Sequence, residues 1–268
     1  MRLALVSDIH GNLAALDAVI ADMQKRHIQC VVNLGDSLSG PLLPLETADR
    51  LRALPWLHVA GNHERQVLRL PIERQNSTDA YTSAQLNHET SHWLASHADP
   101  SDARLHRGQM WPQHLGDDVA LCHGSPRSDV EYLLETPVGE LVRLASSSEI
   151  EERLAGLIPQ HITLLACGHS HVPRAVRWGS GSGLLIVNPG SVGLPAFEDD
   201  HPHPLSAFHR IENGSPDARY AVLEKAGGQW HCELISVPYD HGSMALLAQK
   251  RERPDWAHAL RTGWMPRV

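Results

Sequence analysis

The opening of the chain alternates two periodicities, and that alternation restricts the fold more than any other feature of the sequence. Residues 2–7 form an apolar run that ends in a polar turn, the pattern of a strand. From Asn12, apolar residues recur at Leu13, Leu16, Ile20 and Met23, which marks an amphipathic helix with Asn12 placed to cap it. A second strand follows at 30–34, then a Pro-rich loop, a short helix near 45–53 and a third strand at 56–60. Strand, helix, strand, helix, strand implies parallel strands joined by right-handed crossovers, so the fold class is α/β.

Residues 64–98 read as mostly helical and polar-faced, with Leu86, Trp93 and Leu94 turned inward; they are expected to form a cap inserted in one domain. Strand character returns near 110–114, 118–122, 162–167, 174–178, 184–188, 206–212, 218–223 and 230–237, richer in antiparallel pairing than the first half. Lys225-Ala226-Gly227-Gly228 is a hairpin signal. The tail from about 241 reads as a helix that ends near Pro254, followed by an irregular end. With no repeat and no linker in view, the expected division is one domain over 1–240, its cap at about 64–98, and a C-terminal helical tail over 241–268.

Composition narrows the function classes. The 31 acidic and 23 basic residues leave a net charge of −8, which argues against a general nucleic-acid binder. No apolar run approaches the ~20 residues a membrane span needs, and the N-terminus lacks the pattern of a signal peptide; a cytoplasmic protein is expected. The four cysteines form no Cys-x-x-Cys pair and sit in apolar, strand-like runs, as reduced buried thiols do. Histidine is abundant, at 19. His27, His88, His92, His97, His106 and His114 lie in polar or helical stretches without a partner pattern and are read as having no role. His201 and His203 are read as part of a solvated loop.

Five other histidines belong to a pattern. Five segments each place Asp, Asn or His in a turn directly after an apolar strand: Ser7-Asp8-Ile9-His10-Gly11-Asn12, Leu34-Gly35-Asp36, Ala60-Gly61-Asn62-His63-Glu64, Leu121-Cys122-His123-Gly124, and Cys167-Gly168-His169-Ser170-His171. The carboxyl ends of parallel strands open on one edge of a sheet, so the five are expected to converge there. Asp8 with His10, and His169 with His171, are two residues apart, and both members of such a pair can face one side of an extended turn. Carboxylate and imidazole together suit manganese, iron, zinc or nickel. Any one motif alone is weak, since Asp and His are common in turns; all five after strands are not a coincidence.

In this order the motifs resemble the calcineurin-like metallophosphoesterase superfamily, over roughly residues 3–193, with the look of its bacterial and archaeal phosphodiesterase-like branch. The resemblance implies a four-layer α/β/β/α sandwich. It implies that Asp8, His10 and His171 hold one divalent ion, that Asn62, His123 and His169 hold a second, and that Asp36 bridges them. A hydroxide between ions about 3.5–4 Å apart would attack phosphorus, and His63 would serve the leaving oxygen. The substrate would be a small phosphorylated molecule, a phosphodiester or phosphomonoester.

The chain departs from the protein Ser/Thr phosphatases of that superfamily. Ser39 stands where they carry a second Asp that orients the catalytic His, and Ala60 stands where an Arg is usual. That sets a protein phosphatase aside and leaves the partner of His63 unidentified. A nuclease is disfavoured by the acidic balance, and a non-catalytic metal-binding scaffold by the absence of any eroded ligand. The turn Asn188-Pro189-Gly190-Ser191-Val192 follows another apolar strand; it either supports the second metal through Asn188, Gly190 and Ser191 or is a plain tight turn. Arg65, Arg127 and Glu131 are read as surface charges in preference to substrate ligands. The helices at 64–98 either roof the site or supply the face of a homodimer.

Overall fold

The computed structural model describes residues 2–97, 109–110, 117–180, 183–199 and 208–267. In chain order its elements are β1 (Arg2–Val6), α1 (Leu13–Lys25), β2 (Cys30–Asn33), α2 (Pro44–Arg52), β3 (Leu57–His58), α3 (Asn62–Arg69), a 3-10 turn (Ile72–Arg74), α4 (Ser77–Gln85) and α5 (His88–His97). These are followed by β4 (Gln109–Met110), β5 (Val119–Leu121), β6 (Glu135–Val138), β7 (Leu141–Leu144), α6 (Ser147–Leu154), β8 (Leu164–Ala166), β9 (Arg174–Trp178) and β10 (Leu184–Asn188). The last are β11 (Ala196–Asp199), β12 (His209–Glu212), β13 (Ala218–Ala226), β14 (Gln229–Val237), α7 (His241–Lys250) and α8 (Pro254–Thr262).

Two five-stranded mixed sheets carry the α/β fold. The first has the order β14-β13-β1-β2-β3, with β1, β2 and β3 parallel and β13 antiparallel to β1. The second has the order β4-β5-β8-β10-β9, with parallel β5, β8 and β10 flanked by antiparallel strands. Strand side chains alternate between faces, and here the alternation assigns each face a partner. Leu3 and Leu5 meet Leu121, Leu164 and Val187 in a core shared by both sheets, so the sheets pack face to face. Ala4 and Val6 point the other way, onto Leu16, Val19 and Ile20 of α1. Ala120, Leu165 and Ile186 turn outward onto Ile150 and Leu154 of α6. Truncating a fully buried leucine such as Leu5 to alanine would cost roughly 2–5 kcal/mol.

Parallel register brings the strand ends to one edge. Asp8 N donates to Gly35 O at 2.9 Å and His10 N to Asp36 O at 3.0 Å, locking the turns after β1 and β2 together. Gly168 N donates to His123 O at 2.6 Å and does the same for the turns after β8 and β5.

Several local expectations changed. The third strand is only two residues long. Asn12 does cap α1, accepting from Ala15 N at 3.2 Å, but α3 is capped by Gly61 with Asn62 as its first helical residue. The expected strand at 206–212 is described from His209 and pairs with β11, which the sequence did not signal. The β6–β7 hairpin and α6 were also unread. Pro254 does not close the tail: it opens α8, where proline at the first helical position has no amide to waste. Residues 111–114 of another expected strand, and His106, His114, His201 and His203, lie outside the described residues. Among the described residues no helix is long and apolar enough to cross a membrane.

Candidate metal centre

The seven side chains singled out in the motifs meet at the shared strand edge, in two adjoining groups. Asp8, His10 and His171 form one, and Asp36, His123 and His169 the other, each with its ligand atoms within 4.8 Å of one another. Asn62 joins the second group, its Oδ1 3.1 Å from His123 Nε2, and Asp36 Oδ2 lies 3.0 Å from the same nitrogen. Asp8 Oδ1 reaches toward both, 3.3 Å from His171 Nε2 and 4.0 Å from His123 Nε2.

The second nitrogen of three rings is already committed. His10 Nδ1 lies 2.6 Å from Ser39 O, His123 Nδ1 2.8 Å from Leu34 O, and His171 Nδ1 2.7 Å from Leu194 O. A carbonyl oxygen only accepts, so each Nδ1 carries the hydrogen and, in the neutral ring, each Nε2 is a lone pair aimed inward. His10 Nε2 and His171 Nε2 face each other at 3.2 Å. Asp8 Oδ1 is buried beside them with no hydrogen-bond donor. Lone pairs and a carboxylate oxygen crowded together away from water are stable only around positive charge.

The titration behaviour separates the rings: His10 and His169 are neutral, whereas His123 carries a second proton, at Nε2, that a cation would displace. Burial, helped by the neighbouring His171, pushes His10 down to about 3, and burial, helped by His123, pushes His169 down to about 4, so both present neutral rings. Burial alone would also depress His123, but the carboxylates of Asp36 and Asp8 outweigh it and hold His123 up at about 10. Burial alone would raise Asp8, yet His171 and His123 hold it down at about 2. The centre therefore keeps its carboxylates ionised, as a site for a cation requires.

The backbone is bent to serve these contacts. Asp8, His10, Asp36, His169 and His171 all have φ between 53° and 66°. Residues with a Cβ seldom adopt that left-handed conformation, and such strain concentrates at functional sites. Gly61 is required for a different reason: a Cβ there would overlap Asp36 Oδ1. Glu64, buried in α3, ties the two motifs together. Its Oε2 accepts from Asp36 N at 2.9 Å and Gly61 N at 2.7 Å, and its Oε1 from Ser37 N at 2.7 Å.

His63 stands apart from both groups, its Nε2 4.0 Å from Asp36 Oδ2. Its partner, missing from the sequence reading, is Asp79 of α4. His63 Nδ1 lies 2.7 Å from Asp79 Oδ1, and Ser39 Oγ donates to that same oxygen at 2.5 Å. Asn76 caps α4 and holds the other carboxylate oxygen through Nδ2 at 3.1 Å. Ser39, at the position of the absent second Asp, thus hands the task to a buried carboxylate forty residues on in the chain.

The turn after β10 supports both groups. Asn188 Nδ2 donates to Gly168 O at 2.8 Å and to Ser170 Oγ at 3.0 Å, bracing the segment that carries His169. Gly190 N closes the turn on Asn188 Oδ1, and Ser191 Oγ donates to Asp8 O at 2.8 Å. Arg65, Arg127 and Glu131 do not line the site. Arg65 is paired with Asp129 and Arg127 with Glu131.

The centre forms the floor of a cavity of about 660 Å³. The start of α4, the β11 residues Phe197 and Glu198, Phe208, and Arg253, Asp255 and Trp256 at the start of α8 make up much of its wall. The C-terminal tail therefore reaches the site: Trp256 stands edge-on to His10 with ring centroids 6.0 Å apart.

A family model described as the calcineurin-like phosphoesterase superfamily domain matches residues 1–213. The chain belongs to that superfamily, whose members depend on metal. It is similar over 95% of its length to the uncharacterized protein MJ0912 of Methanocaldococcus jannaschii, 25% identical over 274 residues and covering 94% of that protein. Two solved structures share the fold. A metallophosphoesterase from Sphaerobacter thermophilus has a TM-score of 0.69 at 24% identity, with 98% of this chain and 100% of that one covered. The hypothetical protein PH1004 from Pyrococcus horikoshii OT3 has a TM-score of 0.66 at 17% identity, with 99% of each chain covered.

Proposed function

We propose that this chain hydrolyses small phosphate esters, diesters or monoesters, at a centre of two divalent cations. Asp8, His10 and His171 would hold one ion, Asn62, His123 and His169 the other, and Asp36 would be shared. The observation that carries the reading is the set of imidazoles whose Nε2 atoms are turned inward by main-chain carbonyls and packed against two buried carboxylates. This mixed nitrogen and oxygen donor set suits borderline ions such as manganese, iron, zinc or nickel. Bound there, such ions supply Lewis-acid charge to the phosphoryl oxygens and lower the pKa of water.

The chain's own residues then do the rest. Asp79 takes the Nδ1 hydrogen of His63, which leaves Nε2 facing the cavity floor. Burial alone would make His63 less basic, but the carboxylates of Asp36 and Asp79 raise it to about 9. With Nδ1 held by Asp79, the ring can present a proton at Nε2 to the departing oxygen. Asn188 and Ser191 keep the ligand turns in place as charge builds at phosphorus. The cap carries Asp79, so its docking completes the arrangement around His63.

The size of the cavity supports a small organic phosphate over a folded phosphoprotein. The one Arg or Lys among the described residues that line it, Arg253, is paired with Asp255, so no cationic track for a nucleic-acid backbone is present there. The test is thorough chelation followed by reloading with manganese, read on a generic aryl phosphodiester and the matching monoester. Hydrolysis should vanish and return. Activity that survives metal removal, or loaded protein that cleaves neither ester, would overturn the proposal.

A further inference from the structure

His63 marks the side from which a leaving group would depart, and the wall there has a definite chemistry. Two helix starts border it, those of α4 and α8, and Arg253 links them by donating from Nη1 to Thr78 Oγ1 at 2.9 Å. Helix N-termini attract anions, but each of these already holds an acid of its own chain in the first turn, Asp79 in α4 and Asp255 in α8. Asp255 also absorbs Arg253, with Nη2 to Oδ2 at 2.6 Å and Nε to Oδ1 at 3.0 Å. Glu198 and Asp199 also line it, the first paired with Arg210 and the second accepting from the Tyr132 hydroxyl. Among the described residues the wall thus offers an added anion no uncommitted cation, only acids that already hold partners of their own.

Its other property is apolar surface. The Phe197 ring lies 4.5 Å from the His171 ring, so an apolar face begins directly beside the metal centre. Farther out Phe208 and Val130 remain 37% and 44% exposed while lining the same cavity. Apolar side chains left open inside a concavity are the usual lining of an organic-ligand subsite.

We infer that this wall selects phosphate esters whose leaving group bears no negative charge and presents a flat apolar body, neutral or cationic, and rejects leaving groups carrying further phosphate or carboxylate. The inference rests on the phosphoesterase reading above and adds the class of substrate.

The test uses manganese-loaded full-length protein and esters of whichever type, mono or di, it cleaves faster: methyl, phenyl, 4-carboxyphenyl and 4-(trimethylammonio)phenyl. Rates are divided by those of uncatalysed hydrolysis to remove differences in leaving-group acidity. The phenyl and trimethylammonio esters should exceed the carboxylated ester in kcat/KM by about tenfold or more. Phe208→Ala should lower the phenyl-to-methyl ratio by about tenfold, the worth of roughly one lost ring contact. Asp255→Asn frees Arg253 and should raise the carboxylated-to-phenyl ratio, a gain that misfolding cannot mimic. A carboxylated ester cleaved as well as the phenyl ester would overturn the inference, as would ratios unmoved by both variants. Calorimetric titration with benzylphosphonate and 4-carboxybenzylphosphonate gives the same ranking without turnover. If the phosphonates rank as expected and no ester is cleaved, the hydrolase reading fails while the selectivity of the wall stands.

Discussion

The floor of the cavity and its walls are built by different means. The floor comes from the carboxyl ends of parallel strands, where each ligand sits within a few residues of a strand and most sit in a left-handed turn. The walls come from α4, α8 and β11, elements with ordinary backbones, the two helices each lending two side chains and β11 all four of its residues. Position on the floor is enforced by the main chain: Ser39, Leu34 and Leu194 aim the three imidazoles through carbonyls. Position on the walls is enforced by side-chain pairs such as Arg253 with Asp255. The first kind of construction tolerates little variation, and the second can change residue by residue without disturbing the chemistry below it.

Substitutions can break that division, beginning with the floor. Asp36→Asn keeps an oxygen for the main-chain amide of His63, which Asp36 Oδ1 now accepts at 3.0 Å, but removes the charge that faces His123. Hydrolysis should fall by far more than the roughly 100-fold that an outer partner of a metal ligand is worth, and elemental analysis should show both ions depleted. A variant with normal metal content would mean that the carboxylate is not shared. His63→Ala should instead keep both ions and lose about 10²–10⁴ in kcat, the range of a positioned proton donor. If metal were lost with it, His63 would belong to the floor after all.

Asp79 tests the boundary itself, because it is buried in a wall helix and acts through a floor-side histidine. Asp79→Asn should lower kcat by about 10–100-fold, leave KM and metal content in place, and cost nothing further in a His63→Ala background. An added loss in the double variant would show that Asp79 does something besides orient His63. This residue also shows where sequence reading stops. The Asp-x-His and Gly-Asn-His patterns are legible because glycine, spacing and a preceding strand are all local. Asp79 looks like any acid in a first helical turn, three residues after an Asn cap. Only the lack of a carboxylate at Ser39 announced that one must arrive from elsewhere, and nothing local says from where. Much the same holds for the fold. The core strands were readable because their alternation is apolar, whereas β11, with the sequence Ala-Phe-Glu-Asp, is short and half charged. Pro254 was misread as a stop because proline ends one helix and begins another with the same fixed φ.

The smallest expected effect concerns how α5 is seated. His58, at the end of β3, stacks on His97 of α5 with centroids 5.1 Å apart, and Trp93 packs edge-on against both rings. His97, read from sequence as a residue without a role, is thus part of the joint between α5 and β3. Burial, with His97 alongside, pushes His58 down to about 3, and burial pushes His97 down to about 4, against an ordinary value of 6.5. Above about pH 6.5 both rings are neutral whether the chain is folded or not, and the packing is fully favourable. As the pH falls below that, the unfolded chain takes up protons that the folded joint refuses, so stability declines until the folded values near 4 and 3 are reached. Each ring costs up to about 2 kcal/mol by pH 5, a fall in Tm of several degrees. His97→Phe keeps a ring in the stack and removes one of the two proton sites. Its Tm should therefore fall less between pH 7 and pH 5 than that of the parent chain, with metal content and neutral-pH hydrolysis retained. Equal slopes for the two proteins would mean that the joint does not sense protons, and the acid sensitivity of the fold would then have to reside in the carboxylates of the floor.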